Sequence, residues 1–193
     1  MPDGRFKEPA LVANTNGGME YRLASLVKQC EERFYDVQLK SIVAWKKEDP
    51  KRKAVGCLPI YAPYEVFVAA GVRPVRIMGG GDKVNIIRGD SYYQSYICHF
   101  PRSVIELGLS HWKEALDGMV FPAICDVIRN LSGLWQVLFP EKLNYYLDLP
   151  QNFDRRTGGE FYYRELNELV GRFSALSGIV PTRDDYRAAI ALY

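Results

Sequence analysis

A short apolar run that leads straight into an amphipathic helix is the feature that most restricts the fold of this 193-residue chain. Residues 117–124 (DGMVFPAI) form a run of strand length that ends at Cys125, and residues 126–138 then show helical periodicity. A buried strand followed at once by a helix is typical of a parallel sheet, in which helices connect neighbouring strands. This stretch therefore favours an α/β chain.

The same alternation recurs along most of the sequence. The chain begins with two helical stretches, at 19–34 and 37–47, and ends with two more, at 159–177 and 182–193. Between them the pattern is strand, helix, strand, loop, helix, strand, helix, strand. The strands are predicted at 54–60, 73–78, 118–123 and 142–149, and the intervening helices at 63–71, 101–109 and 126–138. This order predicts a parallel sheet with helices on both faces, in which ligands bind beyond the carboxyl ends of the strands.

The length fits one domain or two, and the pattern divides the chain into four parts. We expect a loose leader at 1–18, N-terminal helices at 19–52, an α/β domain that carries the cysteines at 53–158, and C-terminal helices at 159–193. Asn14-Thr-Asn-Gly-Gly18 in the leader is turn chemistry. The last helix stops at an aromatic residue, which suggests that the chain is a fragment or packs against a partner.

Two of the four cysteines stand directly before predicted helices. Cys98 precedes the helix at 101–109, and Cys125 precedes the helix at 126–138. The dipole and free N–H groups of a helix N-terminus favour a negatively charged sulfur, so two such thiolates could share one metal centre. The alternative is that both are small buried hydrophobic residues, and the absence of a CxxC pair leaves that interpretation open.

The other residues with useful chemistry give weaker signals. Cys30 is predicted on or near the buried stripe of the first helix, and Cys57 lies inside a strand, so both favour a structural role. His99 adjoins Cys98 and is expected at the surface, whereas His111 leaves a Cys/His nucleophile pair open. No catalytic motif of the GxSxG, HExxH or Walker type is present.

The residues that could contact an anion, a glycine turn and four arginines, also have a purely structural explanation. Gly79-Gly80-Gly81 follows a strand and could approach a phosphate, but a tight turn that needs positive φ is favoured. Four arginines are either anion contacts or members of surface ion pairs: Arg76, Arg88, Arg102 and Arg129.

Composition removes several classes of function. The net charge of +2 gives no case for nucleic-acid binding. No apolar run has the length that spans a bilayer, and the polar N-terminus lacks the apolar core of a secretory signal. Cysteines in such a chain point to a reducing cytoplasm, with thiols that are free or bound to metal.

Four sequence blocks stand out along the chain: VGCLPIYAPYEVFVAAGVRPVRIMGGGD, GDSYYQSYICHFPRSVIELGL, LDGMVFPAICDVIRNLSGLWQVLFP and YYLDLPQNFD. Taken together, they resemble the benzoyl-CoA reductase / 2-hydroxyacyl-CoA dehydratase family, most closely its reductase branch. The resemblance runs from about residue 20 to 193, which corresponds to the N-terminal half of such chains. The second and third blocks are long and specific, and they contain Cys98 and Cys125.

The resemblance implies a Rossmann-like α/β fold, the N-terminal domain of a two-domain family. It implies that Cys98 and Cys125 are ligands of a [4Fe–4S] cluster, with a third protein ligand from a second domain that is not in this chain. The implied partners are other reductase subunits and an ATP-hydrolysing electron activator, and the implied substrate is an aromatic acyl-CoA whose ring is reduced to a cyclic diene.

Two other outcomes remain open within this resemblance. One is a subunit of an (R)-2-hydroxyacyl-CoA dehydratase, and the other is a cluster-free remnant that only docks to a partner subunit. In either branch of the family, the half-chain is expected to be inactive by itself.

Overall fold

The computed structural model of the protein describes residues 19–193, with side chains from residue 21 onward. The predicted leader at 1–18 lies outside the described residues. Within the described part, no helix is both long enough and apolar enough to cross a membrane.

Four parallel strands form one sheet, in the order β2-β1-β3-β4. The strands are β1 (Lys53–Cys57), β2 (Val72–Arg76), β3 (Gly118–Pro122) and β4 (Leu143–Leu147). In the register of the sheet, Gly56 of β1 lies between Val75 of β2 and Met119 of β3. The predicted parallel sheet is therefore confirmed, although each strand is shorter than its predicted range, by one residue for β2 and β3 and by two or three for β1 and β4.

Seven helices accompany the sheet in the described chain. They are α1 (Met19–Phe34), α2 (Lys40–Glu48), α3 (Tyr64–Ala69), α4 (His99–Ser110), α5 (Asp126–Leu138), α6 (Glu160–Ser177) and α7 (Arg183–Leu192). Short 3₁₀ turns at Gly81–Lys83 and Gly89–Tyr92 interrupt the long connection between β2 and α4, and a π-helical turn at Arg155–Gly159 precedes α6.

Local chemistry sets several of these helix boundaries. The Asp36 carboxylate accepts hydrogen bonds from the backbone N–H groups of Lys40 and Ser41, so α2 begins three residues later than predicted. Gly178 ends α6 with a φ of 76°, and Thr182 opens α7 with a capping box. The last two were predicted from the sequence and are confirmed.

The helices cover both faces of the sheet, as predicted. One face carries α2, α4 and α5, and its core is centred on Met119, Phe121 and Trp135. The other face carries α3, α6 and α7, where the rings of Phe67 and Phe173 lie 4.5 Å apart. Because β3 is fully buried, its residues alternate between these two cores and hold the layers together.

The strand β2 lies at an edge of the sheet and carries residues that suit an edge. Pro74 has no N–H to offer another strand, and the Arg73 guanidinium lies 4.7 Å from the centre of the Trp45 ring. This edge is therefore a poor template for pairing with a further strand.

One prediction about the first helix is wrong for the described chain. The apolar stripe of α1 is exposed, with Leu23 62% and Phe34 59% accessible, and Cys30 is exposed with it. Periodicity correctly predicted an amphipathic helix, but it does not determine what covers the apolar side. Cys30 therefore does not act as a small buried hydrophobic residue here.

Candidate metal centre at two helix N-termini

Cys98 and Cys125 occupy equivalent positions in the fold. Each is the residue immediately before a helix, Cys98 before α4 and Cys125 before α5, with extended backbone angles (ψ 154° and 170°). Both thiols are exposed, so the alternative in which they are small buried hydrophobic residues does not hold. An exposed sulfur at a helix N-terminus lies where the helix dipole favours negative charge.

The two helix N-termini lie along the same edge of the sheet. Pro122 ends β3, and a tight turn with an N–H···O bond of 2.7 Å from Ile124 to Pro122 brings the chain to Cys125. The helix α4 returns to the start of β3, so its N-terminus also lies at the carboxyl edge. The helices pack on the same sheet face, with Gly108 of α4 directly against the Trp135 ring of α5. This is the edge at which open α/β sheets bind ligands.

A buried carboxylate fixes the connection that leads to Cys98. One oxygen of Glu106, on α4, accepts the backbone N–H groups of Ile87, Arg88 and Gly89 at 2.9, 2.7 and 2.9 Å. Burial alone would raise the pKa of Glu106, but these three donors and the Arg88 guanidinium hold it below its ordinary value. Glu106 thus ties the β2–α4 connection to the helix that begins at Cys98.

The glycine turn after β2 is anchored to the same helix. Gly79 and Gly81 have φ values of 72° and 51°, which confirms the tight-turn interpretation. The Ser103 hydroxyl accepts the Gly80 N–H at 3.2 Å and donates to the Phe100 carbonyl at 2.7 Å. A Cβ at Gly79 would lie 2.8 Å from the Ser103 oxygen, so the turn fits closely against α4.

Two polar atoms of residues within five positions of Cys98 in the sequence have no hydrogen-bond partner in the described part of the chain. They are the Tyr93 hydroxyl and the Arg102 Nε, both buried. Burial raises the pKa of Tyr93, and a negative charge on Cys98 raises it further, so the hydroxyl stays protonated at neutral pH. Tyr93 is therefore a hydrogen-bond donor without an acceptor.

The four arginines have ordinary partners. Arg102 pairs with Asp90 at 2.9 Å, and the Arg88 Nε lies 3.7 Å from a Glu106 oxygen. Arg76 bonds the Tyr64 hydroxyl at 3.3 Å, and the Arg129 guanidinium lies 5.0 Å from the centre of the Tyr146 ring. The ion-pair interpretation is thus confirmed for Arg88 and Arg102, and aromatic contacts replace it for Arg76 and Arg129.

The remaining cysteine and histidine candidates lie away from this edge or take no part in it. Cys57 is fully buried in β1, and burial raises the pKa of its thiol to about 12, which confirms a structural role. His111 follows the far end of α4, about 20 Å from Cys98 at 1.5 Å per residue, so these two form no nucleophile pair. His99 is exposed in the first turn of α4, a surface residue as expected.

The donor set suits part of a thiolate-bound centre. Iron–sulfur clusters take cysteine thiolates, commonly four, and two exposed thiols at one edge supply half of such a set. Among residues 21–193, no three His, Cys, Asp or Glu side chains gather where they could hold a metal ion. Cys98 and Cys125 thus have the donor chemistry of cluster ligands, and residues 21–193 do not complete a metal site around them.

Sequence reasoning found both cysteines but missed the polar residues behind them. Glu106, Ser103 and Tyr93 match no motif, and the N–H groups that Glu106 and Ser103 accept lie 17 to 23 positions earlier in the chain. A charged residue inside the apolar run VIELGL was the one available signal, because a carboxylate in a buried helix face needs donors.

Fold and cysteine placement define a parallel α/β chain that presents two thiols at helix N-termini along one edge of its sheet. The family model described as 2-hydroxyglutaryl-CoA dehydratase, D-component, matches residues 59–193. The chain belongs to this benzoyl-CoA reductase / 2-hydroxyacyl-CoA dehydratase family, as the sequence blocks predicted.

Two curated relatives illustrate the similarity. A subunit of the benzoyl-CoA reductase of Thauera aromatica is 49% identical over 170 residues, which are 88% of this chain and 44% of the relative. The beta subunit of (R)-2-hydroxyglutaryl-CoA dehydratase from Acidaminococcus fermentans is 32% identical over 143 residues, 74% of this chain and 38% of the relative. The chain thus spans less than half the length of these relatives.

Proposed function

We propose that this chain acts as part of the iron–sulfur subunit of an ATP-dependent benzoyl-CoA reductase. The observation that carries the proposal is the pair of exposed thiols, Cys98 and Cys125, at two helix N-termini along the ligand-binding edge. The reductase branch is favoured over the dehydratase branch because identity to the reductase relative is 49%, against 32% for the dehydratase relative.

In this proposal Cys98 and Cys125 are two protein ligands of a [4Fe–4S] cluster, and the third protein ligand comes from outside this chain. When bound there, a cluster would supply low-potential electrons one at a time, and two electrons with two protons would convert the ring of an aromatic acyl-CoA to a cyclic diene. Neither Cys30, on the exposed face of α1, nor Cys57, inside the core, occupies a comparable helix N-terminus.

The contribution of the chain itself is to hold the two sulfurs. Each sulfur lies at the N-terminus of a helix, α4 or α5, where the backbone N–H groups of the first turn have no partner within the helix. Glu106 and Ser103 attach the β2–α4 connection to α4, which limits movement of the segment before Cys98. A ligand pair held in this way loses little conformational freedom when it binds metal.

The proposal includes partners. Other reductase subunits complete the enzyme, an ATP-hydrolysing component delivers electrons, and the chain alone is inactive because its ligand set is incomplete. A dehydratase subunit for (R)-2-hydroxyacyl-CoA substrates is the second candidate, supported by the family description and by the 32% relative.

Anaerobic reconstitution with iron and sulfide tests the cluster, with and without a candidate partner subunit. A brown product with visible thiolate-to-iron absorption is expected when the partner is present. Cys98→Ser and Cys125→Ser should each abolish most of the absorption. Cys30→Ser is the matched control, because Cys30 is also exposed but lies within the length of α1 rather than at a helix N-terminus.

The substrate assay separates the remaining alternatives. With the activator and ATP, loss of an aromatic acyl-CoA supports the reductase, and loss of a 2-hydroxyacyl-CoA supports the dehydratase. A colourless product that still binds the partner subunit would contradict both and leave the cluster-free docking role.

A further inference from the structure

Two residues other than glycine have a positive φ in the described chain, Leu39 at 55° and Tyr61 at 61°. Leu39 is 8% exposed and packs in the core, so its burial offsets the backbone strain. Tyr61 is 62% exposed, and within residues 21–193 its hydroxyl has no hydrogen bond and its ring contacts no other ring or cation. Strain that the fold does not offset is typical of ligand sites, so Tyr61 points to a contact outside this chain.

The topology of the sheet places Tyr61 beside a switch point. From β1 the chain passes through α3 on one face to β2, and it then passes through α4 on the opposite face to β3, on the other side of β1. Open α/β sheets bind ligands at such a point, here between the carboxyl ends of β1 and β3. Cys57 lies opposite Val120 in the register, and Tyr61 and Cys125 follow them by four and five residues. The loops that carry Tyr61 and Cys125 therefore leave the sheet as neighbours.

A second exposed ring lies in the loop after β4. Phe153 is 94% exposed and contacts no other ring or cation among the described residues. The loops after β1 and β4 lead to α3 and α6 on one face, whereas Cys98 and Cys125 begin α4 and α5 on the other. Because β3 lies between β1 and β4, a ligand above the end of β3 has the cysteines on one side and the two aromatic loops on the other.

We propose that Tyr61 and Phe153 are specificity-determining residues, which form one wall of the acyl-binding site and contact the flat ring of an aromatic acyl thioester. Exposed apolar residues along a ligand-binding edge mark a binding surface, and aromatic rings prefer stacked or edge-to-face partners. A saturated acyl group of the same size fills the same space without this preference. The substrate class rests on the proposed function, and the inference adds the residues that recognise the ring.

The first test measures the stability of the chain itself. Tyr61→Gly removes the ring together with the strain of the positive φ, so the urea midpoint should stay unchanged or rise. The matched control is Leu39→Gly, which relieves the same kind of strain but also removes a buried side chain, and it should lower the midpoint. An equal fall in the two variants would mean that the Tyr61 ring stabilises the fold, and it would overturn the inference.

The second test measures ligand preference in the complex of this chain with its partner subunits, without ATP, so that no turnover occurs. Isothermal titration calorimetry gives the Kd of benzoyl-CoA and of cyclohexanecarbonyl-CoA, whose saturated ring has about the same size. Tyr61→Leu and Phe153→Leu should each lower the preference for the aromatic thioester about threefold to tenfold. Tyr61→Phe keeps the ring and should keep the preference.

The matched control for this measurement is Val137→Ala. Val137 is also an exposed apolar residue, but it lies about 18 Å along α5 from Cys125, so the preference should not change. An unchanged preference in Tyr61→Leu would overturn the inference, and so would a complex that binds neither thioester. Visible absorption of the same complex tests the proposed function separately. A brown complex with unchanged preference contradicts only the aromatic wall, and a colourless complex that loses its preference in Tyr61→Leu contradicts only the cluster.

Discussion

Substitution of Glu106 is the sharpest test of how this chain holds the edge of the sheet at which Cys98 and Cys125 lie. Glu106→Ala removes the acceptor of three backbone N–H groups, of which the Gly89 N–H is buried and the Ile87 and Arg88 N–H groups are half-buried. An unsatisfied buried donor costs about 1–3 kcal/mol, and water can reach the other two. We expect the free energy of unfolding to fall by about 2–4 kcal/mol.

Glu106→Gln separates charge from shape, because the amide oxygen can still accept while the negative charge is lost. Charge-assisted hydrogen bonds are roughly twice as strong as neutral ones, so about 1–2 kcal/mol of destabilisation is expected. Urea denaturation measures both variants as a shift of the midpoint at unchanged slope. The matched control is Glu168→Gln, whose exposed ion pair with Arg172 at 3.2 Å should contribute less than about 1 kcal/mol.

These magnitudes can be refuted directly. If Glu106→Ala lowers the free energy of unfolding no more than Glu168→Gln does, water replaces the carboxylate as acceptor of the three N–H groups with no loss of free energy. The carboxylate then does not hold the β2–α4 connection in place. Hydrogen exchange of the Gly89 amide gives an independent measurement, because a released connection exposes that amide first.

Three further outcomes follow from particular contacts. The free energy of unfolding should fall with acid because the pKa of Glu106 is lower in the folded chain than in the unfolded chain. The contribution of Glu106 is complete above the unfolded pKa of about 4.3 and disappears as the pH falls through the folded pKa. The urea midpoints of the unsubstituted chain and of Glu106→Gln should therefore differ at pH 7 and converge at acid pH. Gly108→Ala places a Cβ 2.6 Å from the Trp135 ring and should cost about 1–3 kcal/mol by forcing α4 from α5, seen as a lower urea midpoint; an unchanged midpoint would mean that the ring moves freely. The Cys57 thiol, buried and with its pKa raised to about 12, should resist iodoacetamide at pH 8 in the folded chain while Cys98 reacts, and equal labelling would contradict its burial.

Much of the fold could be predicted because its signals are local. The apolar run at 117–124 is of strand length and contains β3, which ends at Pro122, and the helix after Cys125 begins at the predicted residue. Strand–helix alternation then requires parallel strands with helices on the faces, which the structure confirms. Two helix boundaries were predicted from the residue type that controls them, the end of α6 at Gly178 and the start of α7 at Thr182.

The environment of the cysteines was harder to predict from the sequence, because it depends on residues that are distant in the chain. Nothing local marks Glu106 as the acceptor of N–H groups 17 to 19 residues earlier. The same limit explains the error at Cys30, since an amphipathic pattern describes one helix and not its neighbour.

The sequence by itself determined the element types, the parallel direction of the strands and the position of Cys98 and Cys125 at the starts of two helices. Backbone preferences and apolar periodicity decide these features over a few residues, so they can be inferred without the rest of the chain. Only the tertiary structure decided the strand order, the exposure of the α1 stripe, the contacts of Glu106 and the burial of the Tyr93 hydroxyl. These depend on how distant segments pack and on which polar groups lose water, and no short stretch of sequence contains that information.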